Sequence, residues 1–147
     1  MVGGGGASQA EFIVDQLNGE GNIVELSGIA GASPAEERLR CANEVFAANP
    51  GIKILEQAYA NWSPTEGQAI MANWITKYPE IDGVWSDAGL QGAGAIQAYL
   101  DAGLPVPPIT GEDFQMFWRL WVENDLNAFS PSFSTRQGYL AVPTALD

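Results

Sequence analysis

Histidine is absent from this 147-residue chain, and cysteine occurs once, as Cys41. Zinc sites and histidine-based catalytic triads are thereby excluded in practice. A lone cysteine forms no internal disulfide, so it does not report a redox compartment. Cys41 falls within a helical pattern, where a buried structural thiol is the default. Basic residues are scarce as well: six Lys and Arg stand against eighteen Asp and Glu, for a net charge of −12. Nucleic acid and anionic membrane surfaces each call for a basic patch, so neither suits this chain as a partner. The excess acid reads as a solubility feature. No apolar run approaches the ~20 residues of a membrane span. The opening MVGGGGAS lacks both the basic and the long apolar region of a signal peptide, and residues 1–7 are expected to form a flexible leader.

What is present is globular. The chain is 46% hydrophobic and 16% charged, which suits one domain with a real core. Its organising stretch is Gly83 to Asp113. Val84-Trp85 is a short apolar strand stopping at Ser86-Asp87. Gly89 to Ala102 is an Ala- and Gly-rich helix, Gly103 a C-cap with prolines at 105, 107 and 108 beyond it, and Ile109-Thr110 a second strand running into Gly111-Glu112-Asp113. A strand–helix–strand unit of this length implies parallel strands joined by a right-handed crossover, so both strands end at one sheet edge, each in a carboxylate.

The same alternation runs through the rest. Ser8 with Glu11, Ser33-Pro34-Ala35-Glu36 and Ser63-Pro64-Thr65-Glu66 have the pattern of capping boxes. They predict helices from Ser8 to about Asn18, from Ser33 to about Ala48, and from Ser63 to Tyr78. Strands are predicted at 22–27, 52–59 and 127–130. The third helix carries an apolar stripe of Ile70, Met71, Trp74, Ile75 and Tyr78. The helix from Phe114 to Asn124 is apolar on most of its surface and is expected to be deeply packed. A last helical pattern spans 134–141. Five strands and five or six helices in alternation predict an α/β fold: a doubly wound three-layer sandwich with a mostly parallel five- or six-stranded sheet.

In such a sheet the loops after the strands share the carboxyl edge, where ligands bind. Those loops hold Gly28–Ser33 with Arg38 in the helix beyond, Asn61-Trp62, Ser86-Asp87, Glu112-Asp113 and Pro131-Ser132. A planar aromatic, a guanidinium fork and carboxylates suit a polyhydroxylated ligand, the ring taking the C–H face of a sugar and the charged groups bracketing hydroxyls. Each residue alone is ordinary loop polarity, and either Asp could simply cap the next helix. Acid–base chemistry by the two carboxylates lacks a third catalytic group. Gly89, Gly92 and Gly94 follow G-x-x-G-x-G rather than the dinucleotide spacing G-x-G-x-x-G. The Gly28/Gly31 loop lacks the Gly-Lys-Ser/Thr of a phosphate loop. Binding is therefore favoured over catalysis, with no cofactor and no metal.

At these residues the chain resembles the type I periplasmic sugar-binding proteins of ABC transporters, relatives of the ribose-binding protein. The matching segments are GNIVELSGIAGASPAEER, NPGIKILEQAYANWSPTEGQAIM, YPEIDGVWSDAGLQGAGAIQAYLDAG and ITGED. The resemblance implies a non-enzymatic solute-binding protein of two α/β lobes closing over a sugar. This chain would be the carboxyl-terminal lobe at 8–131, with 132–147 crossing back towards the other lobe. That lobe and a signal sequence would lie upstream of Met1. By the resemblance Arg38 is the sugar-binding arginine, Trp62 the stacking aromatic and Asp113 the aspartate of a Gly-x-Asp motif. Asp87 stands where the family often has an Asn-Asp pair, and Ser132 where it has a glutamine. The implied partners are a sugar or related polyol and a membrane permease, in an extracytoplasmic setting. Surface uncovered by an absent lobe would also favour a homodimer. An effector-sensing domain of a LacI-like transcription regulator shares the fold and is the alternative, and a nucleotide-dependent enzyme on a flavodoxin-like sheet is a third reading.

Overall fold

A computed structural model describes residues 4–112 and 114–130. Among the described residues ten elements alternate: α1 (Gly4–Gln16), β1 (Gly21–Ser27), α2 (Ser33–Ala47), β2 (Ile52–Tyr59), α3 (Pro64–Lys77), β3 (Gly83–Ser86), α4 (Gly89–Ala102), β4 (Ile109–Thr110), α5 (Gln115–Asn124) and β5 (Ala128–Phe129). The strands form one parallel sheet in the order β2-β1-β3-β4-β5.

The sheet separates two apolar layers. On one face, Ile23, Trp85 and Ile52 pack against Ala10 and Ile13 of α1 and Ala42 and Phe46 of α2. On the other, Val24, Leu26, Val84 and Ile109 meet Met71 and Trp74 of α3, the small residues of α4, and Phe117 and Leu120 of α5. Strand side chains alternate between faces, so β1 is apolar on both and buried from Ile23 to Ser27. The edge strand β2 is irregular. Ile23 pairs with Ile54 but Val24 pairs with Glu56, so Leu55 is skipped in the ladder.

Local chemistry explains most boundaries. Gly103 caps α4 in the left-handed region at φ 71°, and the α3 stripe faces the core. Ser63 accepts the Glu66 N–H at 3.1 Å and caps α3. Ser33, with the same motif, does not cap α2. The N-cap is Ala32, and Glu36 turns its carboxylate outward to the Gly31 N–H (2.9 Å) and the Tyr59 hydroxyl (2.9 Å). Ser63→Ala should therefore lower stability by about 1 kcal/mol, while Ser33→Ala should stay within about 0.5 kcal/mol. Urea midpoints at unchanged slope give both numbers, and equal losses would overturn the distinction.

Two expectations need correction. The first helix starts at Gly4, not Ser8, so residues 4–7 lie inside α1. The backbone of Gly6 sits against α2, where a Cβ would fall 2.2 Å from the Arg38 carbonyl oxygen, and its own carbonyl accepts the Trp85 indole N–H at 3.3 Å. Tertiary contact thus extends the helix beyond its capping signal. The helix α5 is not deeply packed: Phe117 and Leu120 are buried, whereas Met116 is 45% exposed. Its inner face meets α4 and the sheet, and among the described residues nothing packs on its outer side as a second layer would. The expected helix at 134–141 lies outside the described residues. No helix among those described is long and apolar enough to cross a membrane.

Candidate functional site

The sheet order creates a crevice. From β1 the chain moves outward to β2, then returns past β1 to β3, so the connections after β1 and β3 diverge to opposite faces. Ligands bind at the carboxyl edge of such a switch point. Here hydrogen bonds bridge it, from the Gly28 N–H after β1 to Asp87 Oδ2 after β3 at 3.2 Å and from the Asp87 N–H to the Leu26 carbonyl at 3.3 Å.

Asp87 is the centre of a buried polar network. Gln91, one turn into α4, donates its amide to Asp87 Oδ1 and to the Leu26 carbonyl (3.0 Å). From the far side of the sheet edge, Gln9 of α1 donates to the carbonyls of Gly111 (3.2 Å) and Asp87 (3.5 Å), which joins the ends of β3 and β4. Asp87 is 0% exposed. Burial pushes its carboxyl up to about 6, against the pull of the Arg38 charge, Gln91, the Trp62 indole and the Gly28 N–H.

Trp62 reaches this centre through a strained turn. Asn61 and Trp62 have φ of 56° and 52°, and a bulky side chain in the left-handed region persists only where its surroundings enforce it. The Asn61 N–H donates to the Gly28 carbonyl (2.9 Å), the Ser63 N–H to the Ala60 carbonyl (3.0 Å), and the Asn61 amide to Glu66 (2.7 Å). The indole comes to rest on Gly28, where a Cβ would fall 2.1 Å from Nε1. Its Nε1 is buried and closes no hydrogen bond of full geometry, yet it stands near enough to Asp87 to favour the carboxylate. Trp62 as a whole is half-buried.

Arg38 projects from α2 into an ion pair with Glu112 in the loop after β4, at 2.7 Å, with both side chains about a quarter exposed. The clamp of Glu36 on Gly31 and Tyr59 secures the loop between β1 and α2. Those two hydrogen bonds hold its carboxyl below the usual range.

Of the residues expected at the edge, Arg38, Trp62 and Asp87 are thus brought together around the β1/β3 crevice, and Asp87 points inward rather than to solvent. Asp113 and Ser132 lie outside the described residues. Sequence reasoning passed over Glu112 as the partner of Arg38, and Gln9 and Gln91 as supports of the strand ends. Gln91 had a signal: it is the one polar side chain four residues after Asp87 in an Ala- and Gly-rich helix, the spacing at which Asp and Gln meet. Among the described residues no cluster of three or more His, Cys, Asp or Glu could hold a metal ion. The arrangement offers a ring, a forked donor and acceptors, the groups that bind hydroxyls.

A family model described as a periplasmic binding protein domain matches residues 4–147. A xylitol-binding protein of Mycolicibacterium smegmatis is 39% identical over 124 residues, which are 84% of this chain and 34% of that protein. The ribose import binding protein of Escherichia coli is 28% identical over 109 residues, 74% of this chain and 36% of that protein. Among solved structures, an ABC transporter solute binding protein from Bacillus halodurans with bound myo-inositol superposes with a TM-score of 0.82 at 25% identity, covering 99% of this chain and 52% of that one. A solute binding protein from Actinobacillus succinogenes with bound D-allose gives 0.79 at 26%, covering 97% and 51%. The chain spans about a third of the length of these curated relatives and about half of the solved chains.

Proposed function

We propose, since this chain belongs to the periplasmic binding protein domain family, that it is a sugar- or polyol-binding lobe of an ABC-transporter substrate-binding protein. The observation that carries this reading is the meeting of Arg38, Trp62 and Asp87 at one switch-point crevice. The family consists of binding proteins of the periplasm, and this chain is read as one without catalytic activity. Trp62 stacks on the C–H face of the ligand, Arg38 donates to hydroxyls, and Asp87 acts chiefly by fixing Gly28 and the indole. Asp113 and Ser132 are proposed as further hydrogen-bonding residues. The protein that carries this lobe hands its ligand to a membrane permease.

One lobe leaves the ligand's other side in water. Losing three or four net hydrogen bonds, at about 1 kcal/mol each, weakens binding by about two to three decades relative to an enclosed site. Chemical-shift titration with xylitol, D-ribose, D-allose and myo-inositol should give millimolar-range changes, about 4 kcal/mol of binding, centred on the Trp62 indole. Trp62→Ala should abolish them. Gly28→Ala, whose methyl takes the space under the ring, should move the indole resonance before any ligand is added and weaken binding. Binding of any of these ligands that leaves the Trp62 indole unperturbed would place the site elsewhere.

A further inference from the structure

We infer that Glu112 is a specificity-determining residue: paired with Arg38, it cancels the positive charge at the crevice, so that the site admits uncharged polyols and turns away anionic ones such as uronates. This deepens the sugar-binding reading and takes its biological sense from it.

The crevice would otherwise favour an anion. Arg38 is a planar fork suited to bidentate recognition of a carboxylate or phosphate, and in an unpaired state it would be the natural seat for one. Glu112 already fills that role from within the chain at 2.7 Å. Behind it stands Asp87, whose carboxylate the Arg38 charge also stabilises. Two internal acidic groups thus lie in the field of one guanidinium, and an incoming anion would find its positive charge already neutralised. A neutral hydroxyl suffers no such repulsion and can still use the guanidinium N–H groups not directed at Glu112. The pair links α2 to the loop after β4, which keeps the fork in place rather than sweeping through solvent.

The position is also unusual chemically. Glu112 lies between the close-packed Gly111, whose missing Cβ leaves room for the Phe117 ring, and Asp113. Its backbone carbonyl accepts the Gly89 N–H at 2.7 Å at the start of α4. The backbone is therefore fixed by contacts independent of the side chain, and changing the side chain should leave the loop in place.

The test uses the whole chain with D-glucose and D-glucuronate, which differ by one carboxylate, and with inorganic sulfate as a charge probe at low ionic strength. The Trp62 Nε1–H and Arg38 Nε–H resonances are followed. In the unaltered protein glucuronate and sulfate should leave both resonances in place. In Glu112→Gln both anions should shift them, with apparent affinity raised about tenfold or more, as expected for removing one like charge within a few ångströms. Glu112→Asp, which keeps the charge, should behave as the unaltered protein. A sulfate response in the unaltered protein equal to that of Glu112→Gln would overturn the inference, as would a Glu112→Gln protein with dispersed resonances that ignores both anions. If the sulfate contrast holds while no neutral sugar shifts either resonance, the charge role of Glu112 stands and the sugar-binding reading fails.

Discussion

Glu25→Gln is expected to stabilise this protein by up to about 3 kcal/mol above pH ~7 and to change it little near pH ~4. Glu25 lies in the middle of β1, 1% exposed, on the face covered by α1 and α2. Its neighbour is the Asn43 amide on α2, whose hydrogen bonding assigns the nitrogen to the carboxylate side, at 3.2 and 2.5 Å from the two oxygens. Burial pushes the carboxyl from its ordinary 4.5 up to about 7. The folded protein therefore keeps a proton that the unfolded chain gives up across that window, and stability falls as pH rises through it. A shift of about two to three units at 1.36 kcal/mol each sets the upper size, and the Asn43 hydrogen bond, which favours the carboxylate, reduces it. Gln keeps the shape and a partner for Asn43 without a charge to desolvate. Asp87, raised from 3.8 to about 6 by burial, contributes with the same sign between those values, so the variant should flatten the profile without levelling it. Urea unfolding at a series of pH values reads this directly. A profile that falls equally in both proteins between pH ~5 and ~7 would show that Glu25 titrates normally.

Gly94→Ala should be among the most damaging single-methyl changes in the molecule. A Cβ at 94 would fall 2.0 Å from the Pro64 carbonyl oxygen and 2.7 Å from the Gln68 nitrogen. Both neighbours are backbone within the first two turns of α3, so no side chain can swing aside. The helices must part, and the cluster of Met71, Trp74, Ala95, Ile96 and Tyr99 between and beneath them loses contact. Overpacking against backbone that cannot yield should cost about 3 kcal/mol, the upper end of the usual range, which exceeds the roughly 1 kcal/mol that Ala gains over Gly in a helix interior. The expected net loss of about 2 kcal/mol corresponds to a drop in Tm of about 4–8 °C for a domain of this size. An unchanged melting temperature would mean that α3 and α4 slide apart freely.

The fold was legible because each element carried two agreeing signals. For β2 the flanking Pro50-Gly51 and the β-rich run both marked Ile52–Tyr59, and for α4 the strand before it and Gly103 after it fixed both ends. Where a single signal was used, tertiary contact overrode it. Ser8 had a capping pattern, but the glycines before it let α1 press on α2 and continue. Ser33 had the same pattern as Ser63, but Tyr59 and Gly31 drew Glu36 away. At the site, Arg38, Trp62 and Asp87 were legible because their elements must end at one edge. Glu25 and the Arg38–Glu112 pair were not. A lone Glu in NIVELS reads as a solvent-facing position until it is known that helices cover both faces of β1. The partner of Arg38 comes from a loop more than seventy residues away, across three strands.

The skipped Leu55 has a consequence for how copies of this chain meet in concentrated solution. Among the described residues β2 is the longest strand, and it lies at the edge of the sheet with Lys53 and Ile54 exposed along it. A straight edge of eight residues is a template on which another chain's strand can grow, the first step towards cross-β aggregation. The irregular step breaks that template in the middle. Ile52 faces the α1/α2 layer whereas Ala58, six residues on, faces the opposite one, so the strand changes parity across the step. A straight incoming strand could match the backbone groups on one side of Leu55 but not on both, while the Glu56–Lys77 pair at 3.0 Å stands beside the step. The irregularity that turns Ala58 into one core and Tyr59 to its clamp on Glu36 thus also makes the open edge a poor template for another chain.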